Sequence, residues 1–111
     1  MRMNFIVTTL VVAAISLANG SSAHEQMQHI RSATFKLTYA GTTFLIDPLL
    51  AKKGAYPGFE GTLRSELRNP TVELPMPVEE VVSGVDAVVV THVHLDHWDG
   101  AAQEILPKDI A

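Results

Sequence analysis

Three features of the sequence predict an α/β fold led by a β-hairpin. Over residues 33–39, Ala33, Phe35, Leu37 and Tyr39 alternate with Thr34, Lys36 and Thr38, which is the period of a half-buried strand. Ala40-Gly41 is a tight turn signal, and the more apolar Thr42-Thr43-Phe44-Leu45-Ile46 follows it, so the two runs predict an antiparallel hairpin. Further on, the β-branched run Ala87-Val88-Val89-Val90 predicts a buried strand, with helical segments at residues 77–82 and 99–106 on either side of it.

Length and composition narrow the classes of function. A chain of 111 residues holds about one small domain. Its 47% hydrophobic and 18% charged content is that of a globular protein rather than a disordered tail. A net charge of −4 argues against nucleic-acid binding, which calls for a basic patch. There is no cysteine. Disulfides, zinc ribbons and thiol nucleophiles are therefore excluded together, and any metal must be held by nitrogen and oxygen.

Residues 1–23 read as an export signal. Met1-Arg2-Met3-Asn4 is a short basic start, residues 5–18 are apolar apart from Thr8, Thr9 and Ser16, and Ser21-Ser22-Ala23 fits a cleavage site, so the expected mature start is His24. The alternative is a membrane anchor, but a spanning helix needs ~20 apolar residues and this run is shorter. The expected location is exported, periplasmic or secreted, with membrane contact only through the export signal. An exterior compartment suits a chain without thiols.

The rest divides into a flexible, irregular lead-in at 24–29 and a domain at 30–111. His24 and His29 stand in the lead-in with no ligand spaced to help them and are expected to be solvated. Asp47-Pro48 ends the hairpin, because proline cannot donate to a ladder. On position alone, Asp47 is better read as an Asx-turn residue than as part of a site. Residues 49–77 are rich in glycine and proline and hold no period. They predict a long irregular excursion with one helical turn near 63–67, of the kind that often serves binding. Its Tyr56 and Phe59 either line a pocket or pin the loop. Pro77-Val78-Glu79-Glu80-Val81-Val82 predicts a short helix, with proline in the first turn and acids near its positive end, and Ser83-Gly84 ends it. Pro107 stops the last helix, and residues 109–111 read as the start of another strand.

Three of the five histidines fall in Thr91-His92-Val93-His94-Leu95-Asp96-His97-Trp98-Asp99. In an extended segment, residues two apart share a face. His92 and His94 would then point one way, and Val93 and Leu95 into packing. A turn at Asp96-His97 would bring a second pair near the first. Asp99, in the first helical turn, is placed to cap it or to hold an imidazole from behind. Imidazole suits zinc, iron and nickel, and imidazole with carboxylate also suits manganese; the expected ion is zinc, with manganese the alternative, and Asp96 beside an activated water could take its proton. A solvated polar cluster is the plainer reading of a lone histidine, not of this spacing after three valines.

The stretch 91–97 resembles the signature of metallo-β-lactamase-fold hydrolases. The hairpin Leu37-Thr38-Tyr39-Ala40-Gly41-Thr42-Thr43-Phe44-Leu45-Ile46-Asp47-Pro48 is most similar to the branch that contains ascorbate-phosphate lactonases. The resemblance covers residues 30–111 and implies the N-terminal half of an αββα sandwich. It implies that His92 and His94 bind one metal and Asp96 and His97 a second, with Asp47 an acid beside the site. It further implies that metal-activated water attacks an ester, lactone, amide or phosphoester of a small-molecule substrate. The second half of such a fold adds a histidine to each metal and a bridging aspartate, and no histidine follows His97 here. The resemblance therefore implies an incomplete hydrolase or, as the alternative, a non-catalytic metal-binding or association fragment completed by a partner chain.

Overall fold

A computed structural model describes residues 24–111. The expected export signal lies outside the described residues. Six elements follow in order: β1 (Gln26–Arg31), β2 (Thr34–Tyr39), β3 (Thr42–Ile46), α1 (Val78–Val82), β4 (Ala87–Val89) and α2 (Gly100–Ile105). The strands form one mixed sheet in the order β1-β2-β3-β4. The first three pair antiparallel, and β4 lies parallel to β3. Among the described residues no helix is long and apolar enough to cross a membrane.

The expected hairpin is β2–β3, with Phe35 opposite Ile46 and Tyr39 opposite Thr42. Its turn places both Ala40 and Gly41 at positive φ, the conformation that matches strand twist in a two-residue link. The lead-in departs from expectation: residues 26–29 are strand, not irregular, and pair with β2 as far as Gln26 opposite Thr38. Their side chains are exposed, so no burial pattern marks them, and the strand state comes from pairing with β2. His29 is exposed as expected and stacks on Phe35.

A parallel neighbour requires a crossover, and the excursion with α1 supplies it. Val81 of α1 and Ala102 of α2, with Leu106 just beyond, pack against Leu45 and Ile30 of the sheet. The central pair of that face is Leu45 beside Val88. Lys36 reaches the end of α1 and donates to the carbonyls of Glu80 and Ser83, a cation at a C-terminus that the helix dipole favours. On the opposite face, Phe35, Leu37, Phe44 and Ile46 are half-buried and Val89 is exposed.

The excursion is irregular but closed. Tyr56 bridges Asn69 through both backbone pairs, Gly54 N–H donates to Pro70 O, and Arg68 donates to the carbonyls of Gly54 and Ala55. Gly58 runs against the far side of the loop: a Cβ there would stand 2.0 Å from Ser65 O. The helical turn expected near 63–67 is a hydrogen-bonded turn, with Leu67 N–H on Arg64 O. Of the two aromatics, Tyr56 pins the loop, while Phe59 is exposed. Residues 109–111 form no strand, although Val88 N–H donates to Ala111 O at 2.8 Å, which lays the chain beside β4.

Candidate metal centre

The strand that leads to the site ends earlier than its valines imply. β4 stops at Val89, and residues 90–99 are loop and turn. Alternation therefore does not extend to His92 and His94. Val93, expected to pack, is 79% exposed. The loop closes on itself instead: His97 N–H and Trp98 N–H both donate to His94 O. That turn brings His97 back over His92, with ring centroids 3.8 Å apart.

His92, Asp96 and His97 form one group whose donor atoms all lie within 4.8 Å of one another. Asp96 Oδ2 is 3.7 Å from His97 Nε2. Two atoms on one zinc at ~2.0–2.2 Å each are at most about 4.4 Å apart, so this pair is within reach of a shared ion. His94 adjoins the group, its ring 4.7 Å from that of His92 and edge-on to it, but it stands outside the group of three. His92 and His94 are thus neighbours as expected, and the turn adds Asp96 and His97 to the same side of His92. Two imidazoles and a carboxylate are a donor set that zinc or manganese accepts, and the residues present fit a divalent ion.

Asp47 stands directly behind His97. Its Oδ2 is 2.8 Å from His97 Nδ1. Thr91 donates its N–H to Oδ1 and its hydroxyl to Oδ2, both at 2.7 Å. An Nδ1–H held by a carboxylate fixes the tautomer and leaves Nε2 free as a ligand. The turn-aspartate reading of Asp47 is therefore incomplete. The residue does end a strand, with φ at +45°, a region that aspartate tolerates better than most residues. Its N–H on Val89 O at 2.8 Å holds the backbone there, and its side chain serves the histidine. Burial works to raise the Asp47 pKa, but the Thr91 and His97 hydrogen bonds outweigh it and leave the carboxyl below its ordinary range. Sequence reasoning missed Thr91. Its only signal is a hydroxyl between the last valine and the first histidine.

Asp99 is fully buried and caps α2 as expected, accepting from Ala102 N–H. Its other partners are Leu50 N–H, Ala51 N–H and the Tyr56 hydroxyl. Among the described residues none of its hydrogen bonds goes to an imidazole, so it holds backbone N–H groups and the Tyr56 hydroxyl instead. Burial and the neighbouring Asp99 push the Tyr56 phenol up.

A sheet that ends in a loop carrying two imidazoles and a carboxylate, with an acid behind one ring, is consistent with a metallo-hydrolase fold. Comparison with known proteins agrees at that level. No family model matches the chain. The chain is 53% identical over 81 residues to the UPF0173 protein YddR of Bacillus subtilis, a match covering 73% of this chain and 32% of that protein. It superposes on the crystal structure of a possible metal-dependent hydrolase from Veillonella parvula with a TM-score of 0.75 and 56% identity, over 77% of this chain and 32% of that one. It also superposes on isothiocyanate hydrolase from Delia radicum gut bacteria, with a TM-score of 0.72 and 57% identity, over 76% and 32%. The chain thus spans about a third of the length of the curated relative and of both solved structures.

Proposed function

We propose that the chain carries the metal-binding loop of an exported metal-dependent hydrolase of metallo-β-lactamase type, in the branch of the ascorbate-phosphate lactonases. Zinc is the proposed metal, with manganese the alternative, and the substrate is a small-molecule ester, lactone, amide or phosphoester. The observation that carries this reading is the group His92, Asp96 and His97 with Asp47 on His97 Nδ1. The half-open sheet face of Phe35, Leu37, Phe44 and Ile46 supports the half-sandwich, because a second layer would cover it. The apolar run at 5–18 supports export to a periplasm or cell exterior.

A bound ion would supply Lewis acidity and a water acidic enough to lose its proton near neutrality. The chain's own residues do the remainder. His92, Asp96 and His97 would hold the ion, with His94 beside them available to a second. Asp47 keeps His97 oriented. Asp96, with a side chain 43% exposed, is open to solvent and placed to accept a proton from an attacking water.

The test is hydrolysis by the full chain, with zinc or manganese, of a lactone, an ester, a phosphodiester and an isothiocyanate, the last because one similar structure carries that activity in its name. Metal-dependent turnover of one of them is expected, lost on chelation and in Asp96→Asn, from secreted protein whose N-terminus is His24. A chain that binds metal and turns over none of the four would contradict the hydrolase reading. It would favour a second one, a metal-binding module without turnover, for which the observation is the group of three donors among the described residues.

A further inference from the structure

Asp99 gathers donors from three places. Ala102 N–H of α2 donates to Oδ1 at 2.8 Å. Leu50 N–H at 3.1 Å and Ala51 N–H at 2.8 Å, from the root of the excursion, donate to Oδ2. The Tyr56 hydroxyl, from the neck of the loop, donates to the same oxygen at 3.2 Å. The other side of the same root is held by Arg31. Its guanidinium, in a side chain as buried as the core, donates to Leu49 O and Ala51 O, and to Val72 O where the excursion returns. Arg31 and Asp99 make no direct ion pair among the described residues. The peptides of residues 49–51 lie between them, carbonyls toward the cation and N–H groups toward the anion.

Two buried charges joined through peptide groups polarise those peptides and hold them tightly, since a buried charge is costly unless its hydrogen bonds are made. The seat they make connects to both ends of the metal loop. Thr34 Oγ1 accepts from Leu49 N–H and donates to Asp47 O, and Asp47 holds Thr91 and His97. Asp99 itself comes two residues after His97.

The geometry points to Arg31 and Asp99 as positioning residues: through the peptides of residues 49–51 they set where Asp47 stands relative to the His97 turn, and so the aim of His97 at a metal. This rests on the metal-centre reading above, and it extends the site to a strand residue that touches no ligand.

The test is Co2+ titration of the full chain, followed by visible absorption and by Zn2+ competition. Wild-type binding checks the metal reading by itself; if wild type binds no Co2+, that reading fails and this inference with it. Given binding, Arg31→Met is expected to weaken it ~10-fold, the scale of losing an outer partner of a metal site, and to change the absorption of the saturated protein. Arg31→Lys should restore part of the loss. Asp99→Asn should weaken binding similarly, because an amide must turn its own donors toward either Ala102 N–H or the Leu50 and Ala51 N–H groups. The double variant should be little worse than either single one, since the two act on one element. Should Arg31→Met and Asp99→Asn fail to fold, Tyr56→Phe decides: it removes one donor and is expected to weaken Co2+ binding about threefold. A lowered thermal stability with affinity and saturated spectrum equal to wild type would assign these residues a purely structural role and overturn the inference.

Discussion

Replacing His97 by alanine is expected to reduce zinc or cobalt affinity by more than the roughly 10–100-fold that loss of an outer partner costs. The ring would be at once a donor to the proposed ion and the link to Asp47, at 2.8 Å from Oδ2. Its removal takes one of three donors from the group and leaves His92 and Asp96 without the ring that lies against His92 at 3.8 Å. The fold should survive, because His97 is 21% exposed and its buried partner Asp47 keeps both hydrogen bonds from Thr91. Circular dichroism and calorimetric zinc titration together separate the two effects. Unaltered zinc affinity in a folded His97→Ala chain would remove this residue from the site.

Asp47→Ala is expected to act on both metal affinity and stability. Affinity should fall about 10–100-fold through the freed imidazole. The Thr91 N–H, hydrogen-bonded to Oδ1 in a part-buried setting, would lose its partner, at a cost of about 1–3 kcal/mol. The side chain is only 5% exposed, so water replaces the lost acceptor poorly. The same network makes stability depend on pH. The folded pKa of Asp47 lies below its ordinary value near 3.8. Its stabilisation is therefore present above that value and is lost as pH falls through the folded pKa. Acid unfolding of the metal-free chain should show this loss below about pH 4, and the Asp47→Ala chain should lack that component. Parallel acid titrations of the two proteins, differing only in offset, would contradict it.

Much of the scaffold was legible from neighbours in the sequence. Alternation over residues 33–39, the Ala40-Gly41 turn and the valines after Asp86 each report a local preference for strand or turn that the structure keeps, but the burial expected of the valines is not found: Val88 is half-buried and Val89 and Val90 are exposed. The edge strand at 26–31 was not legible, because Gln26, Met27, Gln28 and His29 are exposed and take their conformation from β2. Nor was the burial of Arg31, whose acceptors lie 18 to 41 residues away. The residue types of the site were plain from the spacing of His92, His94, Asp96 and His97. Their grouping was not, since it depends on where β4 stops. A strand carried through to His94 would have paired the first two histidines. A strand ending at Val89, with the carbonyl of His94 capping a turn, lays the His97 ring against His92 as well. Asp47 was ambiguous for a related reason: a strand-ending aspartate looks the same in sequence whether its carboxylate meets its own backbone or a ring 50 residues on.

In the proposed loaded state one divalent ion is held by His92, Asp96 and His97, with Asp47 behind His97. X-ray absorption at the zinc edge of the loaded full chain tests it most directly, read beside the His92→Ala and Asp96→Ala variants. The expected spectrum has a nitrogen and oxygen shell with the outer scattering of two imidazoles, reduced to one in His92→Ala and with an oxygen fewer from protein in Asp96→Ala. A shell without imidazole scattering, or one unchanged by both substitutions, would contradict that arrangement.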